Sequence, residues 1–184
     1  LMASVRWRHD HGVTVPVAVN LSPLQFQAAG FADLVDDVLR STGAEGGMLE
    51  LELTERMLMA ELGDVRRTLE RLAGRGVTIT VDSFGTGYTS LGHMRELPLH
   101  RLKIDHRFIA GLPGDAGAEA IARAITQMGH GLGLQVVAEG VQTEDQREAV
   151  RSLGCDAMQG YLLATPMDGD ALDLWLRERL AVEP

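Results

Sequence analysis

Six polar residues recur along this 184-residue chain at intervals of 20–36 positions: Asn20, Glu52, Asp82, Lys103, Glu139 and Gln159. Each closes, or nearly closes, a short apolar segment rich in β-branched residues. Carboxylates and a side-chain amide are hard oxygen donors, suited to Mg²⁺ or Mn²⁺ and not to zinc. Lys103 is the single lysine beside sixteen arginines. The arginine excess reads as composition. The exception carries more, because a compact ammonium and a planar guanidinium are not interchangeable. One strand-end acid is ordinarily a helix cap or a solvated group. Three acids, an asparagine and the only lysine at successive strand ends point instead to one metal or phosphate site.

The elements that must gather these residues follow from hydrophobic periodicity. Strands are expected at 13–20, 48–54, 77–82, 101–105, 134–139 and 156–162. Helices are expected at 23–41, 55–74, 89–96, 118–131, 143–153 and 170–180, with the tail of another at 1–9. Ser22-Pro23 is a cap followed by proline at the first helical position, and Gly74, Gly76 and Gly131 stand where helices should stop. Strands alternating with helices make parallel βα units. Within the strands Leu49, Leu51 and Leu53 oppose Glu50, Glu52 and Thr54, and Val77, Ile79 and Val81 oppose Thr78, Thr80 and Asp82. A doubly wound sheet buries both faces and reads apolar throughout. One apolar face and one polar face ending in Asn, Glu, Asp and Glu predict the inner wall of a TIM-like (β/α)8 barrel. Six units of about 31 residues fall short of the roughly 250 of a whole barrel. The chain 1–184 is therefore expected to be a single, N-terminally incomplete domain, with about two strands upstream of Leu1. Its two open sheet edges are expected to be covered by those strands or by a partner.

Composition removes several function classes. Hydrophobic residues at 45% and charged residues at 23% exclude wholesale disorder. A net charge of −9 argues against a broad grip on DNA or RNA. The one cysteine, Cys155, excludes an internal disulfide and a multi-cysteine zinc site, in keeping with the cytoplasm. No apolar run approaches the roughly 18 residues of a membrane span, so no membrane insertion is expected. The histidines show no ligand spacing. Met48, Met57, Met59 and Met94 read as core filler, and Arg66, Arg67, Arg71 and Arg75 as a solvated stripe paired with Glu61 or Glu70.

The six residues also sit in stretches that together resemble the EAL domain family. These are Asn20-Leu21-Ser22-Pro23-Leu24-Gln25-Phe26, Glu52-Leu53-Thr54-Glu55, Asp82-Ser83-Phe84-Gly85-Thr86-Gly87-Tyr88, Leu102-Lys103-Ile104-Asp105, Val137-Ala138-Glu139-Gly140-Val141 and Gln159-Gly160-Tyr161-Leu162. They occur in order from about Val15 to Pro166. The resemblance implies a bacterial phosphodiesterase or receptor for cyclic di-GMP, built as a modified TIM barrel. It implies that Asn20, Glu52 and Asp82 ligate one Mg²⁺ or Mn²⁺, with Asp82 bridging to a second. Glu139 is implied as a further ligand or base, Lys103 as the group orienting the attacking water, and Gln159, Ser22 and Gln25 as substrate contacts. The loop Phe84, Gly85, Thr86, Gly87, together with Gln142, is implied in coupling the site to a homodimer interface. The family often follows sensory or GGDEF domains. Phe26 and Tyr161 are the aromatic candidates for stacking on guanine.

Three departures from the family pattern bear on activity. The Glu-x-Leu strand that gives the family its name has no counterpart in the chain and is expected upstream. Ser83 stands where a second aspartate usually helps hold the second metal; a neutral hydroxyl is a far poorer ligand. Gln142 stands where glutamate is common. Three outcomes follow: hydrolysis of cyclic di-GMP to linear pGpG, weakened by Ser83 and by the missing N-terminal strand; a receptor that binds cyclic di-GMP without cutting it; or a degenerate barrel used only for protein contacts, against which the retained Lys103, Glu139 and Asn20 argue.

Overall fold

A strand whose alternate residues are apolar can bury only one face, and the helices that follow must supply the cover. The computed structural model, which describes residues 1–59, 62–87 and 91–180, shows six such strands. They are β1 (Val17–Asn20), β2 (Leu49–Thr54), β3 (Thr78–Phe84), β4 (Arg101–Ile104), β5 (Gln135–Glu139) and β6 (Ala157–Gln159). All pair in parallel in the order β1-β2-β3-β4-β5-β6. Because each strand lies beside its sequence neighbour, the winding never reverses, as it would in a doubly wound sheet. Right-handed crossovers then put the helices that connect the strands on the same side. The result is an open arc of the (β/α) barrel type, with its polar face inward.

The outer face holds the core. Leu49, Leu51, Leu53, Val77, Ile79, Val81, Leu102, Ile104, Val136 and Ala138 pack against α3 (Phe31–Thr42), α4 (Leu62–Ala73), α7 (Ala116–Gly131) and α8 (Glu144–Ser152) through Val35, Leu39, Leu69, Leu72, Ala122, Ile125 and Val150. Fully burying one such leucine or isoleucine contributes about 1.5–3 kcal/mol. Met48, Met57 and Met94 are core residues as expected; the side chain of Met59, and Glu61, lie outside the described residues. Cys155 packs near Thr126, and burial pushes its thiol up. Arg66 pairs with Glu70, while Arg71 and Arg75 reach across to Asp36 of α3.

Several expected boundaries move, each for a local reason. The helix expected at 23–41 is two, α2 (Pro23–Gln27) and α3, because Gly30 takes a left-handed conformation (φ 81°) between them. The segment expected as one helix at 55–74 begins with a 3₁₀ turn, Glu55–Met59, ahead of α4. Strand β1 starts after Pro16, which has no N–H for a ladder. Strand β3 runs two residues further than expected, through a register shift between Val81 and Phe84. A one-turn helix, α6 (His106–Ile109), follows β4 where none was expected, capped by Asp105. Helix α5 (Leu91–Glu96) lies within the segment expected at 89–96, whose first residues Thr89 and Ser90 are outside the described ones. The first helix, α1 (Met2–His11), buries Trp7, whose Nε1 donates to Asp173 of the last helix, α9 (Gly169–Leu180), at 3.0 Å. Among the described residues no helix is long and apolar enough to cross a membrane.

Candidate active site

Parallel strands in consecutive order present their C-terminal ends on one rim, so the polar residues near those ends meet. Lys103 near the end of β4 is 5% exposed. Its Nζ lies 2.8 Å from Glu52 Oε1 of β2, 2.7 Å from Glu139 Oε1 of β5 and 3.4 Å from Asp82 Oδ1 of β3. Gln159 Nε2 of β6 donates to the same Glu139 oxygen at 2.5 Å. Five of the six residues singled out from spacing thus form one connected cluster. Asn20, the sixth, is exposed at the end of β1, in register with Glu52. The backbone beside it is tied to the same strand by the Leu21 N–H, which donates to the Glu52 carbonyl at 2.9 Å.

Electrostatics follow from crowding three carboxylates around one ammonium. Burial alone would pull Lys103 down, but its hydrogen bonds to Glu139 and Glu52 outweigh that and hold it above its ordinary value. Lys103 is therefore a fixed cation. Burial pushes Glu139 up; Lys103 opposes the shift, and the charges of Asp82 and Glu52 add to it. Asp82 Oδ1 is buried yet accepts no hydrogen bond, since the 3.4 Å approach of Lys103 is not aligned for one. A buried carboxylate oxygen that accepts no hydrogen bond is costly, and the Lys103 ammonium at 3.4 Å compensates it only in part. Among the described residues no three acids yet stand in a coordination shell, because they close on Lys103 and not on one another. The donor set and the Asp82 oxygen that accepts no hydrogen bond together fit a divalent ion bound by oxygen.

A bulge at the end of β3 aims Asp82. The register shift between Val81 and Phe84 leaves Ser83 in the left-handed region at φ 52°, where a residue other than glycine is uncommon. Bulges bend a strand and re-aim its side chains, and they gather beside active sites. Asp and Asn take this conformation more readily than Ser, so Ser83 departs from the family pattern in backbone preference as well as charge.

Glu55 was not among the candidates read from sequence, yet it holds the loop after Asp82. Its carboxylate is 5% exposed, and Oε2 accepts the N–H groups of Gly85 at 3.3 Å and Gly87 at 3.0 Å. Gly85, at φ 94°, sits so close to Phe108 and Ile125 that a Cβ would come within 2.8 Å of the ring. Thr86 Oγ1 donates to the Ser83 carbonyl at 3.0 Å. Tyr88 of the same motif is outside the described residues. Gln142 is exposed, and its backbone N–H donates to Gln146 Oε1. The signal for Glu55 in the sequence is its place three residues after Glu52, which alternation alone does not distinguish from a helix-start acid.

Ser22 and Gln25 form a reciprocal capping box at the start of α2: Gln25 N–H donates to Ser22 Oγ at 3.2 Å, and Ser22 N–H to Gln25 Oε1 at 3.1 Å. Their polar groups stand beside Asn20 but are engaged with each other. Of the two aromatic candidates, Phe26 is buried edge-on against Phe31, with ring centres 5.8 Å apart, and presents no free face. Tyr161, 64% exposed, does.

The cluster and arc have counterparts in known proteins. A family model, that of the EAL domain, matches residues 1–166. The chain is 37% identical over 171 residues to the signaling protein YkoW of Bacillus subtilis, covering 93% of this chain and 21% of that protein. It is 45% identical over 156 residues to the bifunctional diguanylate cyclase/cyclic di-GMP phosphodiesterase MucR of Pseudomonas aeruginosa, covering 85% of this chain and 23% of that one. The chain thus spans about a fifth of the length of the curated relatives it matches. The solved MucR phosphodiesterase in complex with c-di-GMP superposes with a TM-score of 0.87 at 42% identity, over 93% of this chain and 69% of that one. The EAL domain of Mycobacterium smegmatis DcpA superposes at 0.90 and 35% identity, over 96% and 80%.

Proposed function

The chain belongs to the EAL domain family, and from that premise we propose that its rim binds cyclic di-GMP and hydrolyses it slowly to linear pGpG. The observation that carries this reading is the convergence of Glu52, Asp82 and Glu139 on Lys103, with one buried Asp82 oxygen that accepts no hydrogen bond. Asn20, Glu52, Asp82 and Glu139 would hold Mg²⁺ or Mn²⁺. Bound there, divalent ions would polarise the phosphate and make hydroxide available near neutral pH.

The chain's own residues do the rest. Lys103, charged and held by two carboxylates, is a fixed donor that orients the attacking water and meets negative charge as it develops on phosphate oxygens. Glu139, raised by burial and pinned by Lys103 and Gln159, is placed to take the proton that water loses as its oxygen bonds to phosphorus. One phosphodiester P–O bond of the ring then breaks, and the departing ribose oxygen takes up a proton. Glu55 keeps the loop after Asp82 closed. Tyr161 offers an exposed ring for a base. The parent protein on this reading is a homodimer joined to a sensory or GGDEF domain, with the loop after Asp82 and Gln142 coupling its parts. Neither DNA nor RNA is a partner, and the cytoplasm is where such a ligand is met.

Ser83 favours a second reading, a receptor that binds cyclic di-GMP without cutting it, since a hydroxyl replaces an anionic ligand for the second ion. One experiment separates the two. The 184-residue chain and its Ser83→Asp form are incubated with cyclic di-GMP and Mn²⁺, and pGpG is followed beside a binding titration. Slow turnover that rises at least tenfold in Ser83→Asp supports the weakened enzyme, and binding with no turnover supports the receptor. Equal turnover in both forms defeats the role given to Ser83, and no binding by either form defeats the proposal.

A further inference from the structure

Beneath the site, the inner face of the sheet carries a second polar layer that the chemistry above does not use. Glu50, Thr80 and Arg101 each stand two residues before Glu52, Asp82 and Lys103 on the same strands, and so share their face. Thr80 Oγ1 donates to Glu50 Oε1 at 2.5 Å, and Arg101 Nη1 to Glu50 Oε2 at 2.6 Å. Arg101 Nε donates to Gln135 Oε1 of β5 at 3.0 Å. Glu50 and Thr80 are buried. The layer is thus a continuous chain across β2, β3, β4 and β5, the strands that supply Glu52, Asp82, Lys103 and Glu139.

Its geometry repeats the site's. Arg101 of β4 passes over β3 to reach Glu50 of β2, as Lys103 passes over β3 to reach Glu52. Second-neighbour strands are about 10 Å apart on a flat sheet, so each contact draws β2 and β4 together across the concave face. Two residues along a strand are only about 7 Å apart. A change in how β2 faces β4 at the lower level is therefore felt one level up.

We propose that Glu50 and Arg101 are positioning residues, a lower ion pair that sets the approach of β2 to β4 and thereby where Glu52 meets Lys103. The inference deepens the phosphodiesterase reading and rests on it for the meaning of the upper cluster. Partners that orient the groups around an ion commonly govern its affinity by about 10–100-fold. A mere counter-charge would act oppositely: uncovering Glu50 would add negative charge near the ion and tighten binding.

Because Lys103 is the only lysine, labelling with ¹⁵N-lysine gives a single side-chain ammonium resonance that reports the upper cluster without any metal. In the full chain, Arg101→Met is expected to shift that resonance and speed its exchange with water severalfold. It is also expected to weaken binding of Mn²⁺, titrated alone, about tenfold. Glu50→Gln, which keeps hydrogen-bonding capacity and loses the charge, is expected to fall between wild type and Arg101→Met. A folded Arg101→Met with a lower urea midpoint but unchanged resonance and Mn²⁺ affinity would overturn the proposal, as would tighter Mn²⁺ binding. Should Arg101→Met not fold, Arg101→Gln and Glu50→Gln carry the same comparison, and an unmoved resonance in both overturns it. A wild-type chain that binds neither Mn²⁺ nor cyclic di-GMP, while its lysine resonance still answers to Arg101, would sink the metal reading and leave the positioning role standing.

Discussion

Replacing Glu55 by alanine removes one carboxylate oxygen that accepts two backbone N–H groups, those of Gly85 at 3.3 Å and Gly87 at 3.0 Å. A hydrogen bond to a charged acceptor contributes about 1.5–3 kcal/mol. The longer of these two belongs at the weak end of that range, so together they hold the loop shut by about 3 kcal/mol. At 1.4 kcal/mol per factor of ten, the loop should open roughly a hundredfold more often. Glu55→Gln retains an oxygen acceptor and loses the charge assistance, about half of the strength, so roughly tenfold is expected. The assay is amide hydrogen exchange by NMR at Gly85 and Gly87, with the amides of Ile79 and Val81 in the buried part of β3 as the internal reference. Mn²⁺ affinity should fall in the same order, since Asp82 lies two residues before the end of the strand that this loop continues. Exchange at both glycines within threefold of wild type in Glu55→Ala, with the core amides unmoved, would refute the carboxylate as the anchor.

Other outcomes follow from the same contacts. Gly85→Ala combines a left-handed backbone at φ 94° with a Cβ driven to 2.8 Å from Phe108 and 3.1 Å from Ile125; about 2–4 kcal/mol of lost stability is expected in urea unfolding. Lys103→Met strands three carboxylates around an uncharged side chain. In metal-free buffer this should cost about 3–5 kcal/mol, part of which Mn²⁺ restores by binding the folded state, read as a metal-dependent urea midpoint. Asp156 is held below its ordinary 3.8, first by the Val136 N–H and also by His130. A depressed carboxylate contributes stability that is complete above its unfolded value and fades as pH falls through the lower native one. Asp156→Asn should therefore lower stability at pH 7, where the contribution is complete, and flatten the acid limb below about pH 4, where the two forms converge.

What spacing made legible was the upper cluster. Residues at successive strand ends in a parallel βα series converge on one rim whatever the details of packing, so Glu52, Asp82, Lys103, Glu139 and Gln159 could be named together from sequence. The core face of each strand was legible for the same reason, in a two-residue period. Local structure set by φ was not. The break between α2 and α3 depends on Gly30, and the bulge that aims Asp82 depends on Ser83, a residue with no strong preference for the conformation it takes. Glu55 reads as an ordinary acid at a helix start, because its partners are backbone groups some 30 residues away.

The sequence by itself determined a βα alternation, a polar inner face and a set of hard oxygen donors with one lysine among them. Those properties belong to residue types and short periods, and no long-range contact is needed to state them. Tertiary structure alone decided which oxygens Lys103 hydrogen-bonds and which Asp82 oxygen it faces without a hydrogen bond. It also decided that Arg101 and Glu50 repeat the same bridge beneath. Each of these depends on how closely β2 and β4 approach across a curved sheet, a distance of a few ångströms fixed by the packing of the whole arc.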